Sequence, residues 1–132
     1  RIRAAVAQEC ADYPAQVFPE VHSMLVGLRG RGQRMALISN LARPFADAAL
    51  AALPDVFETV VLSFEVGATK PDRRIFDALA DAVGVPHKQI LVVGDSKRSD
   101  VQGARDAGMQ ALHINRRGGD DGDLSSLAQL LE

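Results

Sequence analysis

Apolar residues along this chain gather in short unbroken runs that end in polar residues or glycine. Met35-Ala36-Leu37-Ile38 runs into Ser39-Asn40, and Ile90-Leu91-Val92-Val93 runs into Gly94-Asp95. Continuous apolar runs of this length mark strands buried on both faces, as in a parallel sheet. Residues 56–64 and 109–115 carry the same pattern more weakly and predict a third and a last strand. Helical patterns lie between them. Pro19, Glu20, Val21, Leu25 and Leu28, followed by Gly30 and Gly32, predict a helix and turn leading into the run at Met35. Further helices are expected at 42–53, at 73–83 behind Pro71-Asp72, and at 124–131. Residues 1–13 also read as a helix, with Ile2, Ala5, Val6 and Cys10 at helical spacing. Strands alternating with helices predict an α/β domain, a parallel sheet flanked by helices.

Three of the polar interruptions carry candidate chemistry. Asp95 and Asp100 stand five positions apart after the run at Ile90, and Gly103, Ala104, Ala107 and Gly108 follow, suiting a helix packed tightly on a sheet. Open α/β sheets bind ligands at the carboxyl ends of their strands. Two carboxylates on one loop are oxygen ligands for a hard cation, and Mg²⁺ takes only one or two of them. The same acids could instead cap the following helix. Ser39 and Asn40 place a hydroxyl and an amide at another strand end, where a serine could equally start a turn. The third place is Lys70-Pro71-Asp72. Pro71 at the mouth of a helix lacks its N–H where no intrahelical bond is needed, and it drives Lys70 into an extended conformation. A lysine held there can balance a carboxylate and a phosphate, although a lysine before a helix is ordinarily just solvated.

The order Ser39, Lys70, Asp95, Asp100, each at a strand end or helix start, resembles the second, third and fourth signatures of the haloacid dehalogenase-like (HAD) hydrolases. The resemblance runs from about Pro14 to the end of the chain. It implies a Rossmann-like core and Mg²⁺-dependent hydrolysis of a small phosphomonoester through an aspartyl-phosphate. By the same resemblance, Ser39 holds a phosphoryl oxygen with the Asn40 backbone N–H beside it, and Lys70 neutralises nucleophile and phosphate. Asp95 binds Mg²⁺, while Asp100 binds it through water or orients Lys70. The small phosphorylated metabolite itself is not specified, because in this family the cap selects it. Two alternatives stay open. A haloacid dehalogenase shares the fold without the metal, although its fourth signature usually lacks Gly-Asp-Ser. A catalytically incomplete HAD-like module would act by binding or dimerisation. A receiver-type phosphorylation domain is remote, since its acidic cluster should come early in the chain.

The family's first signature, Asp-x-Asp at the end of a central strand, has no counterpart before Ser39. Asp121-Gly122-Asp123 has the spacing but follows Arg116-Arg117-Gly118-Gly119-Asp120 instead of an apolar run, so an acidic turn and helix cap explain it. Without a central strand, the runs at Met35 and Ile90 would present unpaired backbone groups at the middle of the sheet. Each would cost about 1–3 kcal/mol against a total stability of about 5–15 kcal/mol. The expectation is therefore a partial HAD core over 14–132, with 1–13 the helix at the end of a cap or linker. An upstream segment or a second chain would supply the missing first strand and the nucleophile.

Composition narrows the field further. A chain of 132 residues that is 47% hydrophobic can build one core. Its net charge of −2 gives no electrostatic footing to a nucleic-acid partner. No apolar run approaches the roughly 20 residues of a membrane span, and a cytoplasmic enzyme is expected. Cys10 is the only cysteine, which excludes an internal disulfide. His22, His87 and His113 are scattered at no metal-ligand spacing. Arg29, Arg31 and Arg34 read as a solvated turn.

Overall fold

A computed structural model describes residues 4–7, 19–40, 47, 50–51 and 55–114. Five parallel strands form one sheet in the order β3-β2-β1-β4-β5. They are β1 (Ala4–Ala7), β2 (Met35–Ser39), β3 (Thr59–Leu62), β4 (Ile90–Gly94) and β5 (Gln110–His113). The helices are α1 (Pro19–Gly30), a short α2 (Ser63–Val66), α3 (Arg73–Val83) and α4 (Gly103–Asp106), with a π-helical stretch over Lys97–Gln102.

Side-chain alternation along the strands splits the core into two layers. Ala36, Ile38, Val61, Ile90, Val92 and Ala111 face one side, where Ile75, Phe76, Leu79 and Val83 of α3 and Ala104 of α4 meet them. Met35, Leu37 and Val93 face the other, against Met24 and Leu25 of α1, with Val60, Leu91 and Leu112 partly buried there. A period of two along strands that are apolar on both faces produces this sandwich of helices around a parallel sheet. It is the α/β architecture expected.

The amino-terminal residues depart from expectation. Residues 4–7 form a strand, not part of a helix, and that strand fills the central position between β2 and β4. Val6 is level with Ala36 on one side and with Val92 on the other. As expected, β2 and β4 are held apart by one strand, but that strand is the chain's own and no foreign backbone is needed. Apolar strand edges at the middle of a sheet outweigh the weak helical preference of an alanine-rich segment, because tertiary context overrides local propensity. The family's first signature is still not restored: Ala7 is followed in sequence by Gln8, Glu9 and Cys10, not by Asp-x-Asp.

Two other boundaries shift. The third strand stops at Leu62, and Ser63–Val66 turn into α2, so Phe64 is helical. The last strand is Gln110–His113, so Met109 falls outside it, and Asn115 lies outside the described residues. By contrast, α3 begins and ends where its pattern does. Asp72 caps it by accepting from the Arg74 N–H, and Pro71 stands just outside the helix, not in its first turn. Hydrogen bonds from the Arg74 side chain and then its backbone N–H hold the Asp72 carboxyl down to about 2. The loop at 118–123 and the helix expected at 124–131 lie outside the described residues, as does most of 42–53.

Arg34 is no solvated loop residue. It forms a bidentate pair with Glu58, at 2.8 Å to each oxygen, and donates to Val83 O at the end of α3 at 2.6 Å. These bonds hold the Glu58 carboxyl below the usual carboxylate range. They tie the start of β2 to the start of β3 and to α3. A cleft there, lined by Arg29, Arg34, Asp55, Phe57 and Glu58 among others, mixes both signs of charge at the edge of the sheet opposite Ser39.

Candidate active site

In this topology the chain steps outward from β1 through β2 to β3, then crosses back to place β4 on the other side of β1. Such a reversal leaves a crevice beyond the carboxyl ends of the strands, the usual ligand site of open α/β sheets. Ser39 is the last residue of β2 and is buried. Asp95 directly follows β4 and is exposed. Both candidates therefore open on the same edge.

Lys70 and Asp100 meet in a buried ion pair, Nζ to Oδ1, with side chains only 4% and 2% exposed. The contact places Lys70 within reach of the acidic loop, as the sequence led us to expect. The second carboxylate oxygen, Oδ2, accepts from the Ser96 N–H at 3.1 Å. Asp100 is thus committed on both oxygens to organising the site. The ion pair is the geometry that one of its two expected tasks, orienting Lys70, requires. Ser96 also caps the π-helical stretch through its Oγ, which accepts from the Ser99 N–H at 3.0 Å. On the far side of β4, His113 Nε2 lies 3.1 Å from Asp95 O, and Ile114 N–H donates to Gly94 O.

The side chain of Asn40 has a part of its own, beyond the backbone N–H expected to matter. Its side chain bonds the backbone of Lys70 twice, donating from Nδ2 to Lys70 O at 3.2 Å and accepting at Oδ1 from Lys70 N–H at 2.8 Å. The strand-end amide thereby joins the β2 loop to the lysine loop. Sequence spacing alone could not show that link, since thirty positions separate the two residues.

Glycine is required where the loops close on one another. A Cβ at Gly94 would overlap the carboxylate of Asp100. One at Gly103 would stand 2.9 Å from both Phe76 and Pro71, so the lysine loop lies directly on the start of α4. We expect Gly94→Ala to displace Asp100 and cost about 1–3 kcal/mol, the usual range for overpacking. Thermal unfolding of the variant checks this, and an unchanged melting temperature would show that the carboxylate has room to spare.

The donor set suits a cation that retains much of its water. Among the described residues no three His, Cys, Asp or Glu side chains gather into a metal cage. Mg²⁺ does not ask for one, since it is typically held by one or two carboxylates plus waters and substrate phosphate. Among the described residues, Asp95 is an exposed carboxylate directly after β4, while the charge of Asp100 is offset by Lys70.

The haloacid dehalogenase-like hydrolase family model matches residues 2–108. The chain belongs to that family. A phosphoserine phosphatase from Thermus thermophilus is 37% identical over 114 residues, covering 85% of this chain and 45% of the relative. An (S)-2-haloacid dehalogenase from Pseudomonas sp. strain YL is 35% identical over 103 residues, or 76% of this chain and 44% of the relative. Among solved structures, a HAD phosphatase from Thermococcus onnurineus superimposes with a TM-score of 0.78 at 32% identity, covering 87% of this chain and 56% of that one. The chain thus spans about half the length of the curated relatives it matches. No helix among its described residues is long and apolar enough to cross a membrane.

Proposed function

We propose that this HAD chain is part of a Mg²⁺-dependent phosphohydrolase acting on a small phosphomonoester. The observation that carries the proposal is the buried Lys70–Asp100 pair at the sheet edge that also bears Ser39 and Asp95. Burying a lysine and a carboxylate together is costly unless geometry and further hydrogen bonds compensate. A site for anion chemistry gives that cost a purpose.

Each residue has a task that follows from charge. Ser39 donates its hydroxyl to a phosphoryl oxygen, beside the Asn40 backbone N–H. The Lys70 ammonium, fixed by Asp100, offsets the repulsion between a carboxylate nucleophile and a dianionic phosphate. Asp95 holds Mg²⁺, which supplies charge neutralisation at the phosphoryl oxygens when bound. The nucleophile's carboxylate oxygen would bond to phosphorus as the P–O bond to the substrate alcohol breaks and that alcohol's oxygen takes a proton from the signature's second aspartic acid. Water would then attack the aspartyl-phosphate, giving back the carboxylate and releasing phosphate. No Asp-x-Asp follows β1 in the sequence, so these residues do not supply the nucleophilic aspartate at the position where the family's first signature has it.

One observation favours a second reading. The centre of the sheet is filled by Ala4–Ala7, a strand that brings no Asp-x-Asp, as a catalytically incomplete binding or dimerisation module would have it. Offering the intact protein a panel of phosphomonoesters and 2-haloacids separates the readings. Phosphate release supports the phosphohydrolase, halide release makes it a dehalogenase, and neither leaves the non-enzymatic module.

A further inference from the structure

Lys70 is held at two points. Its ammonium meets Asp100, and its backbone N–H and C=O are both taken by the one side-chain amide of Asn40. Asn40 is itself exposed. An exposed amide has water for a partner at no cost, so this ring of two hydrogen bonds is not forced by burial. What it achieves is to fasten the loop carrying Lys70 to the end of the strand carrying Ser39.

We infer that Asn40 is a positioning residue, which sets where the Lys70 ammonium stands relative to Ser39 by clamping the Lys70 backbone. The kinetic part of this inference rests on the phosphohydrolase reading; the structural part does not. Lysine has a flexible four-carbon stem, so when its backbone shifts the contact with Asp100 opens more often and the ammonium becomes accessible. Pro71, whose ring nitrogen closes the Lys70 peptide, is pressed against Gly103, and Asp72 N–H donates to Thr69 O at 2.8 Å. The Asn40 amide adds a hold on the Lys70 N–H and C=O themselves. Asparagine suits the task because its amide sets one donor and one acceptor side by side, matching the N–H and C=O of a single residue. Aspartate keeps the acceptor and loses the donor. Alanine loses both.

The test uses Asn40→Ala and Asn40→Asp in the intact protein, with two readouts. The first is competitive acylation by limiting acetic anhydride, with Lys70 scored by peptide mass spectrometry against the exposed Lys88. Breaking the clamp should raise the Lys70/Lys88 ratio about tenfold in Asn40→Ala, the factor that corresponds to about 1.4 kcal/mol, with Asn40→Asp in between. The second is hydrolysis of p-nitrophenyl phosphate. There kcat should fall by about tenfold in Asn40→Ala while KM changes less than about twofold, because the ammonium acts most where charge develops. A Lys70/Lys88 ratio unchanged in both variants overturns the inference. If Asn40→Ala unfolds and all lysines react alike, the ratio in Asn40→Asp decides. A raised ratio in a protein whose wild type hydrolyses no phosphomonoester upholds the clamp and overturns the phosphohydrolase reading instead.

Discussion

Asp100→Ala should destabilise the protein by about 3–5 kcal/mol, the usual cost of stranding one member of a buried ion pair. Removing the carboxylate leaves the Lys70 ammonium buried without its counter-charge, and it also removes the acceptor for the Ser96 N–H. The pair Lys70→Met with Asp100→Leu should recover most of that loss, since well-packed apolar replacements of buried pairs are commonly neutral or better. Urea unfolding measures both, and the midpoint should move while the slope does not. A loss below about 1 kcal/mol in Asp100→Ala would mean that the pair is solvated like an ordinary surface bridge, and that Lys70 is not preorganised.

Asp95→Asn should have the reverse profile. Asp95 is exposed and follows the strand, so an isosteric amide should change stability by no more than about 0.5 kcal/mol. Its effect falls on chemistry. On the proposed role of Asp95 as ligand of the cation, losing its charge removes several kcal/mol of transition-state stabilisation, which corresponds to at least about a thousandfold in turnover. Steady-state kinetics on the intact protein, at saturating Mg²⁺, gives the comparison. Wild-type rates in the variant would take Asp95 out of the metal site.

The contrast between these variants explains how much could be read from the chain beforehand. Signals that act locally were legible. The runs before Ser39 and Gly94 had to be strands buried on both faces, and Asp72 with Pro71 before it marks the start of α3. Asp95 does follow β4 directly, but Asp100 lies within the π-helical stretch beyond it and not on a loop. What stayed hidden was decided by contacts between distant segments. Ala4–Ala7 has helical composition and becomes a strand because β2 and β4 each need a partner edge. Gly94 looks like a strand breaker, yet the approach of Asp100 is what demands it. Arg34 looks like a loop cation until Glu58 and Val83 are seen beside it. The amide of Asn40 found its partner thirty residues away.

Metal dependence of phosphomonoester hydrolysis by the intact protein bears most directly on the central claim, that Asp95 and the Lys70–Asp100 pair serve phosphoryl transfer at the carboxyl edge of this sheet. Activity should vanish in chelator, return on addition of Mg²⁺, and fail to return in Asp95→Asn. Full activity in chelator, with halide released from a 2-haloacid, would contradict it.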